Sequence, residues 1–254
     1  MVRQPFLDIA FDPLTEQQVV AELRGRSPRS LFRYLVTPNV DHVVRLSRLD
    51  RAGPEHQAYA NAGWCLCDSR ILARLAAMCG VALPVVPGSD LTARFIHEIL
   101  NPGDRICLIG GDPSTRTALA VLRPDIAIDQ HIPPMTLRSD PAARAEAARF
   151  AIDHPARFTL IAVGSPQQEL IAQEMATMPG ACGTALCIGA SIDFLTGRSR
   201  RAPRWMQRVS LEWLHRLVND PARLWRRYLI EGPRIFLLTW RWRRRLRAEA
   251  TDTG

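Results

Sequence analysis

The chain has 254 residues, 47% of them hydrophobic and 23% charged, which is typical of a globular protein with one large domain or one domain and an appendage. We expect neither a secretory signal nor a membrane-spanning helix, because the N-terminal segment lacks a signal-peptide pattern and no run of about 18 apolar residues occurs. The six cysteines stand mostly inside apolar runs, which indicates reduced, buried thiols in a cytoplasmic protein and argues against a disulfide framework or a zinc site.

Charge divides the chain into two parts. Residues 1–197 contain 18 Arg and 20 acidic residues, whereas residues 198–254 contain 15 Arg and 5 acidic residues. The chain has no Lys, so a coding bias accounts for part of the Arg content, but such a bias does not concentrate Arg in the tail. We therefore predict an α/β domain over residues 1–197 and a basic, helical C-terminal appendage over residues 198–254.

In the first domain, apolar runs of strand length alternate with longer segments of helical spacing. The runs predict strands near residues 32–37, 64–67, 105–109, 126–128, 158–163 and 185–188. The segments between them predict helices over residues 40–49, 71–79, 91–100, 114–122, 142–152 and 167–178. This alternation favours a Rossmann-like parallel sheet flanked by helices, which binds its ligands at the carboxyl ends of the strands.

Polar residues follow the first two predicted strands. Thr37 and Asn39 come after the first strand, where either can cap the next helix or leave its first amides facing a ligand. Asp68 comes after the second strand and is either the N-cap of the helix that begins near Ile71 or a catalytic acid at the floor of a cleft. Spacing alone does not separate these alternatives.

Glycine turns follow the third and fifth predicted strands. Gly110 and Gly111 allow backbone amides to approach a phosphate closely. The sequence has neither G-x-G-x-x-G nor a P-loop here, so nothing in it specifies nicotinamide or ATP binding. The turn after the fifth strand leads into a helix that starts with Gln167, Gln168 and Glu169, and Glu169 also suits the helix dipole in a purely structural role.

The appendage shows amphipathic helical patterns. From Leu211 onward, apolar residues recur at helical spacing with Arg interleaved. The later run 235–238, with Trp240 and Trp242, is too short to span a bilayer but suits a membrane interface, where indole rings lie at headgroup depth and Arg meets anionic lipid. The alternative is an ordinary docking helix with a solvated face.

Taken in order, these segments resemble the WecG/TagA/CpsF family of bacterial glycosyltransferases over about residues 35–228. Any one piece is weak, but this many in one order is specific. The pieces are Thr37-Pro38-Asn39, the strand ending in Asp68, Gly88-Ser89-Asp90-Leu91, Gly110-Gly111, Gly164 to Glu169, Gly189 to Phe194, Arg201-Ala202-Pro203, and Leu211-Glu212-Trp213 through Arg227-Tyr228.

The resemblance implies that the protein transfers a sugar, with inversion at the anomeric carbon, from a UDP-sugar donor to a polyprenyl-diphosphate-linked saccharide. This reaction would belong to the synthesis of exopolysaccharide, capsule, common antigen or teichoic acid. The protein would then lie on the inner face of the cytoplasmic membrane. Residues 1–197 would be the catalytic domain, and residues 198–254 would bind an anionic membrane surface and close the active site. No nucleic-acid partner is implied, and self-association is left open.

The resemblance also suggests roles for single residues. Asp68 is similar in position to the proposed catalytic base of the family, and Thr37 and Asn39 are similar to pocket residues. Gln168 resembles an active-site glutamine, and Asp193 resembles a polar group on the nucleotide side. Three tail arginines resemble those that complete the site over the diphosphate: Arg216, Arg223 and Arg226.

Two residues depart from the family pattern. Val85 stands where many members carry Arg, and Gln167 replaces the Lys of a Pro-Lys-Gln-Glu motif. Both departures remove positive charge near the expected cleft. Either the sugar differs from the N-acetylmannosamine-type donors of better-known members, or the tail supplies the charge.

The chemistry of inversion is consistent with these residues. A single displacement needs one carboxylate to take the proton of the acceptor hydroxyl, for which Asp68 is the candidate, and a separate means of stabilising the leaving diphosphate. Glycine turns, helix N-termini and Arg do this without a metal, and we find no convincing Asp-x-Asp pair, so we predict no metal and no cofactor. Two alternatives are a nucleic-acid-binding protein with a basic tail and a nucleotide-sugar enzyme with a soluble substrate.

Overall fold

A six-stranded parallel sheet forms the centre of the molecule. The computed structural model describes residues 2–195, 197, 202–203, 205–206 and 209–252, without the side chains of residues 195, 223 and 249–252. The sheet contains β3 (Arg33–Val36), β4 (Trp64–Cys65), β5 (Arg105–Gly110), β6 (Ala127–His131), β7 (Phe158–Ala162) and β8 (Thr184–Cys187). Their order is β4-β3-β8-β7-β5-β6 and every pairing is parallel, so all six carboxyl ends lie along one edge.

Helices pack on both faces of this sheet. They are α1 (Glu16–Arg24), α2 (Val40–Leu46), α3 (Pro54–Ala60), α4 (Arg70–Ala77), α5 (Gly88–Arg94), α6 (Pro113–Leu122), α7 (Pro141–Asp153), α8 (Gln167–Thr177) and α9 (Ser191–Leu195). A π-helical turn, Phe95–Ile99, extends α5, and a 3-10 turn, Met135–Arg138, precedes α7. The predicted Rossmann-like α/β fold is confirmed.

The core has two halves, one on each face of the sheet. Side chains alternate between faces along a strand, so Tyr34 and Val36 of β3 belong to one buried cluster and Leu35 belongs to the other. All six thiols are unpaired, as predicted; Cys65, Cys67, Cys107 and Cys187 are buried, whereas Cys79 and Cys182 are half-buried. Burial raises the pKa of the Cys67 and Cys107 thiols to about 12, which keeps both protonated at neutral pH.

An N-terminal hairpin was not predicted from the sequence. It pairs β1 (Gln4–Phe6) with β2 (Ile9–Phe11), and its turn residues Leu7 and Asp8 have φ values of 51° and 66°. The helices α1 and α3 were also not predicted. Both are short and use local caps: the Thr15 side chain accepts a hydrogen bond from Gln18 N–H, and Pro54 occupies the first turn of α3.

The appendage is helical, as predicted. It contains α10 (Glu212–Asn219), α11 (Pro221–Trp225) with a π-helical extension (Arg226–Glu231), and α12 (Arg234–Asp252). Within the described residues, no helix is long and apolar enough to cross a membrane.

One face of α12 packs on α2 and α4. Ile235 and Thr239 are buried there, and the Trp242 ring meets Phe6 of the hairpin edge-on, with centroids 5.2 Å apart. The opposite face exposes Phe236, Leu237 and Trp240. The helix therefore docks on the protein through one face and leaves a second apolar face uncovered by the described residues.

Candidate active site

Asp68 lies at the carboxyl edge of the sheet, just beyond β4. Its Oδ1 accepts a 2.8 Å hydrogen bond from the backbone N–H of Gly88, and its side chain is also hydrogen-bonded to Asn39. The N-cap of α4 is Ser69, whose hydroxyl accepts from Leu72 N–H. The alternative that Asp68 caps this helix is therefore wrong, and its carboxylate faces the loops at the sheet edge instead.

The surroundings of Asp68 change its acidity. Burial raises the pKa of the carboxyl from 3.8 to about 7, against the lowering effect of the Gly88 N–H. Arg216 of the appendage also lowers this pKa, whereas Glu212 raises it. A carboxylate whose pKa is close to neutral holds a captured proton better than an ordinary aspartate does, as a general base requires.

Asn39 and Thr37 both lie beside Asp68. Asn39 Oδ1 accepts a 3.0 Å hydrogen bond from Asp41 N–H and so caps α2, which leaves its amide nitrogen to donate to the Asp68 carboxylate. A Cβ built on Gly88 would lie 3.0 Å from Thr37 Oγ1 and 3.7 Å from Ser191 Oγ. The structure thus brings the predicted pocket residues Thr37 and Asn39 together with Asp68, and capping and contact with Asp68 are compatible roles for Asn39.

Gly110 and Gly111 lie farther along the same edge. Gly110 is the last residue of β5 and Gly111 follows it, and β5 is four strand spacings, or about 19 Å, from β4. Their φ values are 95° and 67°, and a Cβ on Gly110 would come within 2.7 Å of the Ala162 carbonyl oxygen. Close strand packing therefore explains Gly110 by itself, and phosphate binding by these two glycines stays a prediction.

Gln168 and Glu169 begin α8 after β7 and are both buried. The Gln168 Nε2 donates a 2.9 Å hydrogen bond to Glu169 Oε1, and the Ser165 hydroxyl donates a 2.8 Å hydrogen bond to Glu169 Oε2. Burial raises the pKa of the Glu169 carboxyl, while these donors and Arg45 act to lower it. Glu169 is thus part of a buried polar network and does more than complement a helix dipole.

The remaining candidates among residues 1–197 lie at the same edge of the sheet. Asp193 is half-buried in the short helix α9, which follows β8 and contacts α5. Val85, which departs from the family pattern, forms a parallel β-bridge with Cys67. It therefore lies beside the residue that directly precedes Asp68. Gln167, the other departure, is 7% exposed at the start of α8.

One protein-family model matches almost the whole chain. The model of the family described as Glycosyl transferase WecG/TagA/CpsF family matches residues 4–249. The chain belongs to the WecG/TagA/CpsF family of glycosyltransferases. The match confirms the resemblance and the prediction of an enzyme. It extends across residue 197 into α12. The division into two domains stays a prediction.

The appendage of this WecG/TagA/CpsF glycosyltransferase lies close to Asp68. Arg216 on α10 pairs with Glu212 at 2.8 Å, and its guanidinium lies 5.3 Å from the Phe194 ring centroid. Arg216 lowers the pKa of Asp68 and Glu212 raises it, so α10 places one positive and one negative charge near this carboxylate.

The other two predicted tail arginines are placed differently. Arg226 is exposed, and its guanidinium lies 5.9 Å from the Trp225 ring. The side chain of Arg223 is outside the described part of the structure. Arg227, which the sequence did not single out, pairs with Asp41 at 3.2 Å and links the appendage to the start of α2.

Sequence patterns alone also did not reveal the roles of Gly88, Ser191 and Glu212 in this glycosyltransferase. Each belongs to a segment that resembles the family, but only the fold shows that Gly88 donates to Asp68 and that Ser191 lies near Gly88. Among the described residues, no three His, Cys, Asp or Glu side chains are grouped so that they can hold a metal ion.

Proposed function

We propose that this glycosyltransferase moves a sugar from a UDP-sugar to a polyprenyl-diphosphate-linked saccharide, with inversion, in the synthesis of a bacterial cell-surface polysaccharide. The observation that carries the proposal is the setting of Asp68. It lies next to Asn39 at the carboxyl edge of a parallel sheet. Its pKa is about 7, and Arg216 of the appendage acts to lower that pKa.

Each of these groups has a role in a single displacement. Asp68 accepts the proton of the acceptor hydroxyl as that oxygen bonds to the anomeric carbon and the bond to the UDP oxygen breaks. The Gly88 N–H and the Asn39 amide hold the carboxylate in place. Arg216 offers positive charge for a diphosphate, and Val85 contributes none beside the base.

The test is a screen of UDP-sugars with a polyprenyl-diphosphate-sugar acceptor. It compares the intact chain with the Asp68→Asn variant and with a truncation after Gly197. We expect the variant to bind donor but to transfer at least about a hundredfold more slowly, as general-base losses do. Near-normal transfer by the variant would place the base elsewhere, and turnover of the donor without any lipid acceptor would favour the soluble-substrate alternative.

We also propose that catalysis needs no metal. Backbone amides at helix starts and Arg side chains such as Arg216 can stabilise the leaving diphosphate, and transfer should continue undiminished in excess chelator. Strict dependence on added Mg²⁺ or Mn²⁺ would overturn this part of the proposal.

The appendage is proposed to hold the enzyme on the inner face of the cytoplasmic membrane. Apolar side chains of α12 and of the π-helical extension of α11 are exposed beside Arg: Leu229, Ile230, Phe236, Leu237 and Trp240. Each Arg near an anionic surface contributes about 1 kcal/mol, so several hold a peripheral protein without insertion. Co-sedimentation with anionic vesicles at rising salt, next to a DNA and RNA shift assay, tests this; retention by nucleic acid alone would contradict it.

A further inference from the structure

The buried network around Glu169 fixes the direction of each of its main hydrogen bonds. Arg45 can only donate, so the 2.9 Å bond from its Nη2 to Ser165 Oγ makes the serine oxygen an acceptor. Ser165 Oγ lies 2.8 Å from Glu169 Oε2 and 3.4 Å from the Tyr59 hydroxyl, so the single serine proton is donated to the nearer acceptor, the carboxylate. Glu55 accepts from Arg45 Nε at 2.9 Å and keeps the guanidinium in place.

The direction of these bonds decides how the amide of Gln168 is turned. The Ser165 hydroxyl and Arg45 favour the ionised form of Glu169, whose two oxygens can only accept, so Gln168 presents its NH₂ group to Oε1 in the 2.9 Å contact. A flipped amide would set two acceptor oxygens against each other. The carbonyl oxygen of Gln168 therefore points away from Glu169.

That oxygen faces Gly189 and is not used by the described part of the protein. Gln168 is 5% exposed, and its Oε1 has no hydrogen-bond partner among the described residues. A Cβ built on Gly189 would lie 3.3 Å from this oxygen, and the other nearest atoms, both of Gln168, would be 4.0 Å away. With glycine at position 189, no side chain of that residue covers this buried acceptor, which is costly to leave unpaired.

We propose that Glu169 is a positioning residue, which turns Gln168 so that its carbonyl oxygen accepts a hydrogen bond from a hydroxyl or N–H group of the UDP-sugar beside Gly189. The inference rests on the proposed donor. Gln168 touches the substrate, and Glu169 acts through Gln168.

The Glu169→Gln substitution tests the direction of the amide. Ser165 still donates to the oxygen of the new side chain, whose NH₂ then faces residue 168 and forces Gln168 to present its oxygen inward. The network stays bonded, so we expect an unchanged melting temperature. An NH₂ group would now face Gly189, and the KM for UDP-sugar should rise about tenfold with kcat affected less.

A double-mutant cycle separates positioning from a merely structural role. If Glu169 acts through Gln168, the double variant with Gln168→Ala and Glu169→Gln should have a kcat/KM no lower than that of Gln168→Ala alone. A loss of kcat/KM in the double variant equal to the product of the two single losses would overturn the proposal. The exchanged pair Gln168→Glu with Glu169→Gln returns an oxygen acceptor to the Gly189 side and should recover several-fold in kcat/KM over Glu169→Gln.

Two controls complete the experiment. Glu174→Gln changes another glutamate of α8 whose partner is Arg144 at 3.5 Å, and it should leave KM unchanged. Calorimetry with UDP identifies the source of the bonding group: weaker UDP binding by Glu169→Gln indicates the nucleotide, whereas unchanged UDP binding with a raised KM indicates a sugar hydroxyl. No change in either quantity would refute the positioning role, and a wild-type chain that accepts no UDP-sugar would instead refute the proposed function.

Discussion

Replacing Asp68 by Asn should stabilise the protein in a way that depends on pH. Because burial raises the pKa of this carboxyl from 3.8 to about 7, the unfolded chain releases a proton between these values that the folded chain retains. The wild type therefore loses stability as the pH rises through this interval, and the loss is complete above about pH 7. At about 1.4 kcal/mol per pKa unit, the loss amounts to roughly 4 kcal/mol at most, and partial solvent contact reduces it to about 2 kcal/mol.

The Asp68→Asn variant carries no charge at any pH and keeps an oxygen for the Gly88 N–H. We expect equal free energies of unfolding for variant and wild type near pH 4, and a variant that is more stable by roughly 2 to 4 kcal/mol at pH 8. Urea unfolding of both full-length proteins across this range measures the difference. A constant difference from pH 4 to 8, or a less stable variant at pH 8, would refute the argument.

The same pKa predicts how catalysis responds to pH. A base must be ionised to accept a proton, so kcat/KM for sugar transfer by the wild type should rise with pH up to about 7 and then level off. The variant should gain stability and lose transfer together, as expected where a functional group is held in an unfavourable environment. A wild-type profile that is flat from pH 5 to 8 would argue against Asp68 as the base.

Two further predictions concern packing. Trp242→Ala removes the contact with Phe6 and should lower the free energy of unfolding by roughly 2 to 3 kcal/mol. The Trp240 side chain is 54% exposed, so Trp240→Ala should change the free energy of unfolding by less than about 0.5 kcal/mol. Trp240→Ala should also weaken binding to anionic vesicles. Arg157 is 5% exposed and pairs with Asp104 at 2.6 Å, so Arg157→Met should cost roughly 3 to 5 kcal/mol. Equal effects of the two Trp changes, or an Arg157→Met protein as stable as the wild type in urea, would contradict these expectations.

Strands and helices of the sheet were predictable because burial on both faces leaves a clear pattern. Residues 106–109 of the strand predicted over 105–109 form a continuous apolar run, and the strand observed is Arg105–Gly110. The hairpin strands Gln4–Phe6 and Ile9–Phe11 have three residues each, too few to show a period of two. For this reason the hairpin could not be predicted from the sequence.

The candidate site was predictable only in part. Asp68, Asn39 and Gln168 could be named because each follows a predicted strand and matches a family motif. The network that orients Gln168 depends on a bond between Arg45 and Ser165, which are 120 residues apart, and no local pattern reveals such a contact. The two alternatives for the tail also needed the fold, because helical spacing shows that a helix has an apolar face but not which surface covers it.

The contact between Phe6 and Trp242 has a consequence for synthesis of the protein. Phe6 lies in the first strand of the N-terminal hairpin and Trp242 lies in α12, so the hairpin is synthesised long before the residue that it packs against. At about 5 to 20 residues per second, the hairpin waits tens of seconds for its partner. Until Trp242 is made, the Phe6 ring lacks this contact, and contacts between residues this distant in sequence slow folding.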